Sequence, residues 1–186
     1  MNEATVSCEP LHLKNGCQLY WQFTCDRIWL TLKNTTGQTY ILDEVDANLY
    51  PYTYRLGYHF IQEFGTTLLF RSGCPANGPC YYVLIDTVSG KIINKFNQLI
   101  QIDTDLDGIS YSFPFVVYFN TKGNKLVIEN LYTHKKIFKR FHFEESYLIP
   151  EYNFTAMKVM AKTLYLYYKD SSGLSHQVVI PIGKIL

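Results

Sequence analysis

Asp103-Thr104-Asp105-Leu106-Asp107-Gly108 is the one stretch of this 186-residue chain whose residue types and spacing suit ligand chemistry. Carboxylates at alternate positions can converge on a hard cation if the backbone turns sharply around it, and Gly108 permits such a turn. Calcium is the expected ion, with Asp103, Asp105 and Asp107 as its ligands and a weak affinity on the order of 10⁻⁴ to 10⁻³ M. Covalent chemistry has less support. Serine, cysteine and five histidines are present, yet no local pattern joins a nucleophile, a base and an orienting group. Phosphate-binding glycine loops and paired CxxC motifs are also missing. Glu144 and Glu145 follow His142 closely, but neighbours on a strand point to opposite faces and would not work as a carboxylate pair. His59 and Glu63 would share a face on a helix, although their aromatic, glycine-bounded surroundings argue against both a helix and a metal site.

The acidic hexapeptide resembles the first half of the calcium loops of EF-hands and of calcium-binding propeller blades. The resemblance covers six residues and then stops. The twelfth position, glutamate in an EF-hand, is Pro114, and the ninth, aspartate in the propeller type, is Tyr111. Backbone carbonyls would have to complete the shell. Without them the stretch is an acidic turn between strands.

Cys74 and Cys80 enclose Pro75-Ala76-Asn77-Gly78-Pro79. With Asn77-Gly78 as the bend, the two cysteines face each other across a hairpin, where opposed Cα atoms lie about 4.5 Å apart and a disulfide fits. A disulfide suits an oxidising compartment, so a mature periplasmic or secreted protein that has lost its leader is expected, with a cytoplasmic protein of buried thiols as the alternative. Cys17 and Cys25, about 26 Å apart if they share one straight strand, could not bond to each other. Asn34-Thr-Thr and Asn153-Phe-Thr are glycosylation sequons that matter in a host that uses them.

These residues need strands to position them. Sixteen Tyr and twelve Phe, with 18% charged residues, favour an all-β chain. From Cys17 to Cys25 apolar and polar residues alternate strictly, which places Leu19, Trp21 and Phe23 toward a core. The phase then slips to Ile28, Leu30 and Leu32, requiring a turn or bulge near Cys25 to Arg27. Asn or Asp, a Ser/Thr-rich turn and Gly recur between apolar segments, with Gly37, Gly90, Gly123 and Gly173 closing four hairpins. Asn153 to Lys162 stays ambiguous between strand and short helix. The expected architecture is a set of antiparallel meander and hairpin repeats in a bent or two-layer sheet, with an irregular propeller-like arrangement as the alternative. Residues 1–186 are read as a single β-rich domain, with 1–16 as an irregular N-terminal arm.

Tyr50, Tyr52 and Tyr54 alternate around Pro51, which marks an edge strand or extended loop and offers rigid amphipathic side chains as a binding surface. His134 to His142 is a run of basic and aromatic residues, expected as a solvated strand edge whose lysines discourage stray pairing. A formal charge of +1 supplies no long-range field for nucleic acid, and no window is long and apolar enough to span a membrane as a helix. The expected function is a non-enzymatic, extracytoplasmic protein-binding domain, for example a toxin-neutralising inhibitor or immunity protein, whose partner is another protein. A glycan or small-ligand module, with calcium assisting, is one alternative; an enzyme of unrecognised type is another.

Overall fold

The computed structural model describes residues 9–52, 57–74, 80–100, 112–141 and 150–186, with the side chains of 50–52 and of 150 excepted. The fold is all-β. Its strands are β1 (Leu11–His12), β2 (Gln18–Phe23), β3 (Arg27–Lys33), β4 (Thr39–Asp46), β5 (His59–Phe64), β6 (Thr67–Gly73), β7 (Tyr81–Asp86), β8 (Ile92–Asn97), β9 (Phe115–Phe119), β10 (Lys125–Asn130), β11 (Lys136–Arg140), β12 (Phe154–Met160), β13 (Thr163–Lys169) and β14 (Ser175–Pro181). They form four antiparallel sheets, ordered β1-β2-β3-β4, β5-β6-β7-β8, β11-β10-β9 and β12-β13-β14, each pairing strands consecutive in sequence. None closes into a barrel. This is the meander expected from short apolar segments separated by tight turns.

The chain divides into two compact units, Met1–Lys95 and Phe96–Leu186. In the first, Leu13 and Cys17 of the β1–β2 connection and Leu19, Leu30 and Leu32 of the first sheet pack with Leu68, Phe70, Val83 and Ile85 of the second. In the second unit, Phe115, Val117, Leu126 and Ile128 pack with Phe154, Leu164, Leu166, Val178 and Ile180.

The phase slip between β2 and β3 is a turn. Thr24 N–H donates to the Arg27 carbonyl, and Thr24 Oγ1 accepts from the Asp26 and Arg27 N–H groups. The resulting register sets Leu19 opposite Leu32 and Phe23 opposite Ile28, so odd positions of one strand share a face with even positions of the next. The expected inward set is only partly realised. Leu19 is buried at 4%, Trp21 is half-buried against the core, and Phe23 is 59% exposed. Phe23 ends its strand beside the turn and is exposed, although Ile28 directly opposite it is buried.

Two local expectations are corrected. Pro51 lies in a 3-10 helix, Ala47–Tyr52, rather than an edge strand or extended loop. Asp46 Oδ1 accepts from Asn48 N–H at 2.9 Å and caps it, and the fixed φ of proline is compatible with 3-10 geometry. The ambiguous segment Phe154–Met160 is strand β12, paired with β13 through a bulge between Phe154 and Ala156; cross-strand pairing overrides its mixed propensity.

The repeated turns share one chemistry. Asn34 Oδ1 accepts from Thr36 N–H, Thr36 Oγ1 and Gln38 N–H, and Asp170 Oδ1 accepts from Ser172 N–H, Ser172 Oγ and Leu174 N–H. Asn120 Oδ1 caps Asn124 and Lys125, and Asp86 Oδ2 caps Ser89. A further copy lacks glycine. Asn130 Oδ1 accepts from Tyr132 and Thr133 N–H, and His134 takes the closing position at φ +55°. Its backbone bonds, His134 N–H to Asn130 and Asn130 N–H to Lys135, repeat those of Gly90 and Lys91 with Asp86.

Candidate functional site

The side chains with chemical potential sit mainly on β9, β10 and β11. Glu129 lies on β10 among Leu126, Val127 and Ile128 and is 2% exposed. Burying a carboxylate requires partners, and two are present: Tyr118 Oη donates to Glu129 Oε2 at 2.7 Å, and Lys136 Nζ stands 3.1 Å from the same oxygen. The strand register brings them together. Lys136 is directly opposite Glu129, while Tyr118 is opposite Val127, one diagonal step away on the same face. Burial, then the bond to Glu129 and its negative charge, push the Tyr118 phenol far above the usual tyrosine range. Tyr118 is therefore a held donor rather than a base, and its ring packs edge-on against Phe96 at 5.2 Å.

From this anchored row the face continues to the margin of the sheet. β11 is terminal in its sheet. Phe138 is 61% exposed, and Lys135, Lys136, Lys139 and Arg140 are exposed around it. Backbone bonds from Asn130 N–H to Lys135 and from Phe141 N–H to Asn124 set the hydrogen-bonding phase of the β10–β11 pair. In antiparallel pairing the bonded residues recur every second position, so residues 135, 137, 139 and 141 bond to β10, and the N–H and C=O groups of Lys136, Phe138 and Arg140 point outward. The side chains of those same three residues share the face of Glu129.

A second polar cluster closes the β13–β14 turn. His176 Nε2 lies 2.6 Å from Asp170 Oδ2, and the His176 ring stacks on Tyr168 at 5.3 Å. Ser172 Oγ donates to Asp170 Oδ1 at 2.6 Å. Serine and histidine are thus both bound to the carboxylate and not to each other, the reverse of a nucleophile activated by imidazole. Hydrogen bonds from Ser172 and then His176 hold the Asp170 carboxyl down at about 2. Elsewhere, burial raises Asp43 against the lowering effect of Tyr58 N–H and the His59 charge, and burial raises Glu151.

Cys74 and Cys80 are disulfide-bonded, with Cα atoms 4.1 Å apart; Cys17 is a buried free thiol and Cys25 an exposed one. Asp103, Asp105 and Asp107 lie outside the described residues, as does Tyr54. Tyr50 and Tyr52 belong to the 3-10 helix by their backbone. His59 and Glu63 stand toward opposite ends of β5, and Glu63 Oε2 accepts from Lys14 N–H. Among the described residues, no three His, Cys, Asp or Glu are grouped so as to hold a metal. Asn34 of the first sequon is 7% exposed, with its amide donating toward Gln38 and Val88, so its side chain serves the turn. The basic run around β11 was legible as a strand edge. Its link to Tyr118 and Glu129 was not, although a lone glutamate in the apolar run Leu126-Val-Ile-Glu129 is a signal that could have prompted it.

No protein-family model and no curated protein matches this sequence. Among solved structures, a chain from a structural and mechanistic study of two prolyl endopeptidases aligns with a TM-score of 0.43 and 11% identity, over 89% of this chain and 24% of that one. TolB from Acinetobacter baumannii aligns with a TM-score of 0.31 and 13% identity, over 91% of this chain and 39% of that one. This chain therefore spans well under half the length of either protein, and likeness at this level assigns neither fold family nor activity.

Proposed function

We propose that this chain is a non-enzymatic protein-binding domain of an extracytoplasmic protein, and that β11 is its contact strand. The observation that carries the reading is Phe138, a large aromatic side chain 61% exposed on a terminal strand and surrounded by cations. An exposed aromatic in a polar rim is the composition of an interaction hot spot. The Cys74–Cys80 bond supports an oxidising compartment, periplasmic or secreted, and inhibition of a toxin or another enzyme is one concrete form of the activity. No helix among the described residues is long and apolar enough to cross a membrane.

The test is site-specific photo-crosslinking in the native organism, with the photoreactive residue at position 138 and, as control, at position 122 on the opposite turn of β10. A discrete protein adduct formed from position 138 alone is expected. Equal labelling from both positions, or none from 138, overturns the reading.

A further inference from the structure

We infer that β11 captures its partner by strand addition, and that the captured segment is an extended, acidic stretch of polypeptide. This rests on the reading of β11 as a contact strand and specifies its chemistry.

The argument starts from the backbone. The outward N–H and C=O groups of Lys136, Phe138 and Arg140 have no strand partner among the described residues. They form the ladder that an added antiparallel strand completes, with each added residue opposite one of the three exchanging two hydrogen bonds. The side chains then set specificity. Lys136, Phe138 and Arg140 share one face, so residues facing them read as acidic, apolar, acidic. On the other face Lys139 asks for one more carboxylate beside half-buried Ile137. Because Glu129 already pairs with Lys136, an acidic residue opposite Lys136 would share that cation, and most of the charge left for a partner sits on Lys135, Lys139 and Arg140, none of which has an ion-pair partner among the described residues.

The same lysines that repel basic strands, and that a neutral strand would desolvate without compensation, admit an acidic one, so edge protection and selection are one device. A second copy of this chain would oppose like charges if it paired β11 with β11. Nucleic acid would satisfy the cations but not the row of backbone donors and acceptors, since a phosphodiester chain has no donors to return to the Phe138 and Arg140 carbonyls.

The experiment uses the full oxidised chain and the synthetic peptide acetyl-Thr-Glu-Glu-Val-Val-Glu-Thr-amide, with the Glu-to-Lys version and a thymidine decanucleotide as comparisons. Hydrogen exchange followed by NMR should show the amides of Lys136, Phe138 and Arg140 slowed by the acidic peptide, while those of Ile137 and Lys139, already bonded to β10, change little. Phe138→Ala removes the phenyl, and Phe138→Pro removes both the phenyl and one outward N–H without touching the β10 ladder. Phe138→Pro should therefore bind the peptide about fivefold more weakly than Phe138→Ala, the loss of one net hydrogen bond. Equal affinities of the two variants, an unchanged exchange pattern, tighter binding of the lysine peptide or the oligonucleotide, or concentration-dependent dimerisation through β11 would each overturn the inference. A protein crosslinked through position 138 but bound without protection of these amides would overturn strand addition while leaving the contact strand in place.

Discussion

Gly90 combines two constraints that its counterparts in the other turns do not. Its φ is +67°, and a Cβ would overlap the Tyr40 ring, whereas Gly173 has φ +81° with nothing nearby. Tyr40 Oη donates to the Val88 carbonyl at 2.6 Å, so the ring is fixed by the turn it covers and cannot retreat cheaply. Gly173→Ala is expected to cost about 1 kcal/mol from the left-handed backbone alone, and Gly90→Ala about 2–4 kcal/mol once overpacking is added; urea denaturation of both variants checks the ordering. Asp170 makes a prediction in pH. Its carboxyl is held at about 2, below the ordinary value of 3.8, so the native state binds its proton later than the unfolded chain does. Its contribution is present above about pH 4 and is lost as pH falls toward 2. Acid unfolding of Asp170→Asn should show a shallower slope across that window than the parent chain, with no kink remaining near pH 3.

Strands β2 and β3 show how position within an element decides a side chain's energetic weight. Leu32 is fully buried at 0% exposure, and Leu32→Ala is expected to cost about 2–5 kcal/mol. Trp21 is half-buried, so Trp21→Ala should cost about 1.5–3 kcal/mol, less than full burial would imply; chemical denaturation of the pair checks whether the smaller residue matters more. The Cys74–Cys80 hairpin is a second case. A loop closed by cysteines six positions apart constrains little of the unfolded chain, and Cys74→Ser with Cys80→Ser should lower stability by about 2 kcal/mol. Non-reducing peptide mapping of the parent protein should recover the two cysteines in one linked fragment.

Across the whole molecule, protection should follow burial on both faces of a strand. In β6 and β7 of the first unit and β9 and β10 of the second, consecutive residues on opposite faces are buried: Leu68, Leu69 and Phe70, Val83 and Leu84, Val116 and Val117, Val127 and Ile128. β11 and β14 are exposed along most of their length, and β4 has no buried residue. Native-state hydrogen exchange should therefore find the slowest amides in β6, β7, β9 and β10 and the fastest strand amides in β4, β11 and β14. Uniform protection across all strands would show that opening is global rather than local.

The sequence by itself determined what depends on near neighbours. The strand over Gln18–Phe23, the Asn/Asp-to-Gly turns at Gly37, Gly90, Gly123 and Gly173, and the Cys74–Cys80 staple are all set by contacts within a hairpin, and the structure shows each of them; the alternation expected from Cys17 to Cys25 is realised only in its first half, since Gln22, Phe23, Thr24 and Cys25 are all exposed. The turn closed by His134 was missed because its Asn130 cap works without glycine, leaving no glycine to mark it. Tertiary structure decided which faces are covered. Phe23 continues the pattern of Leu19 yet is exposed while its cross-strand partner Ile28 is buried, because periodicity gives the face a side chain takes and not what covers it. It also decided that Tyr118, Glu129 and Lys136 share one site, since residues 7 to 18 positions apart meet only when the register of three strands is fixed.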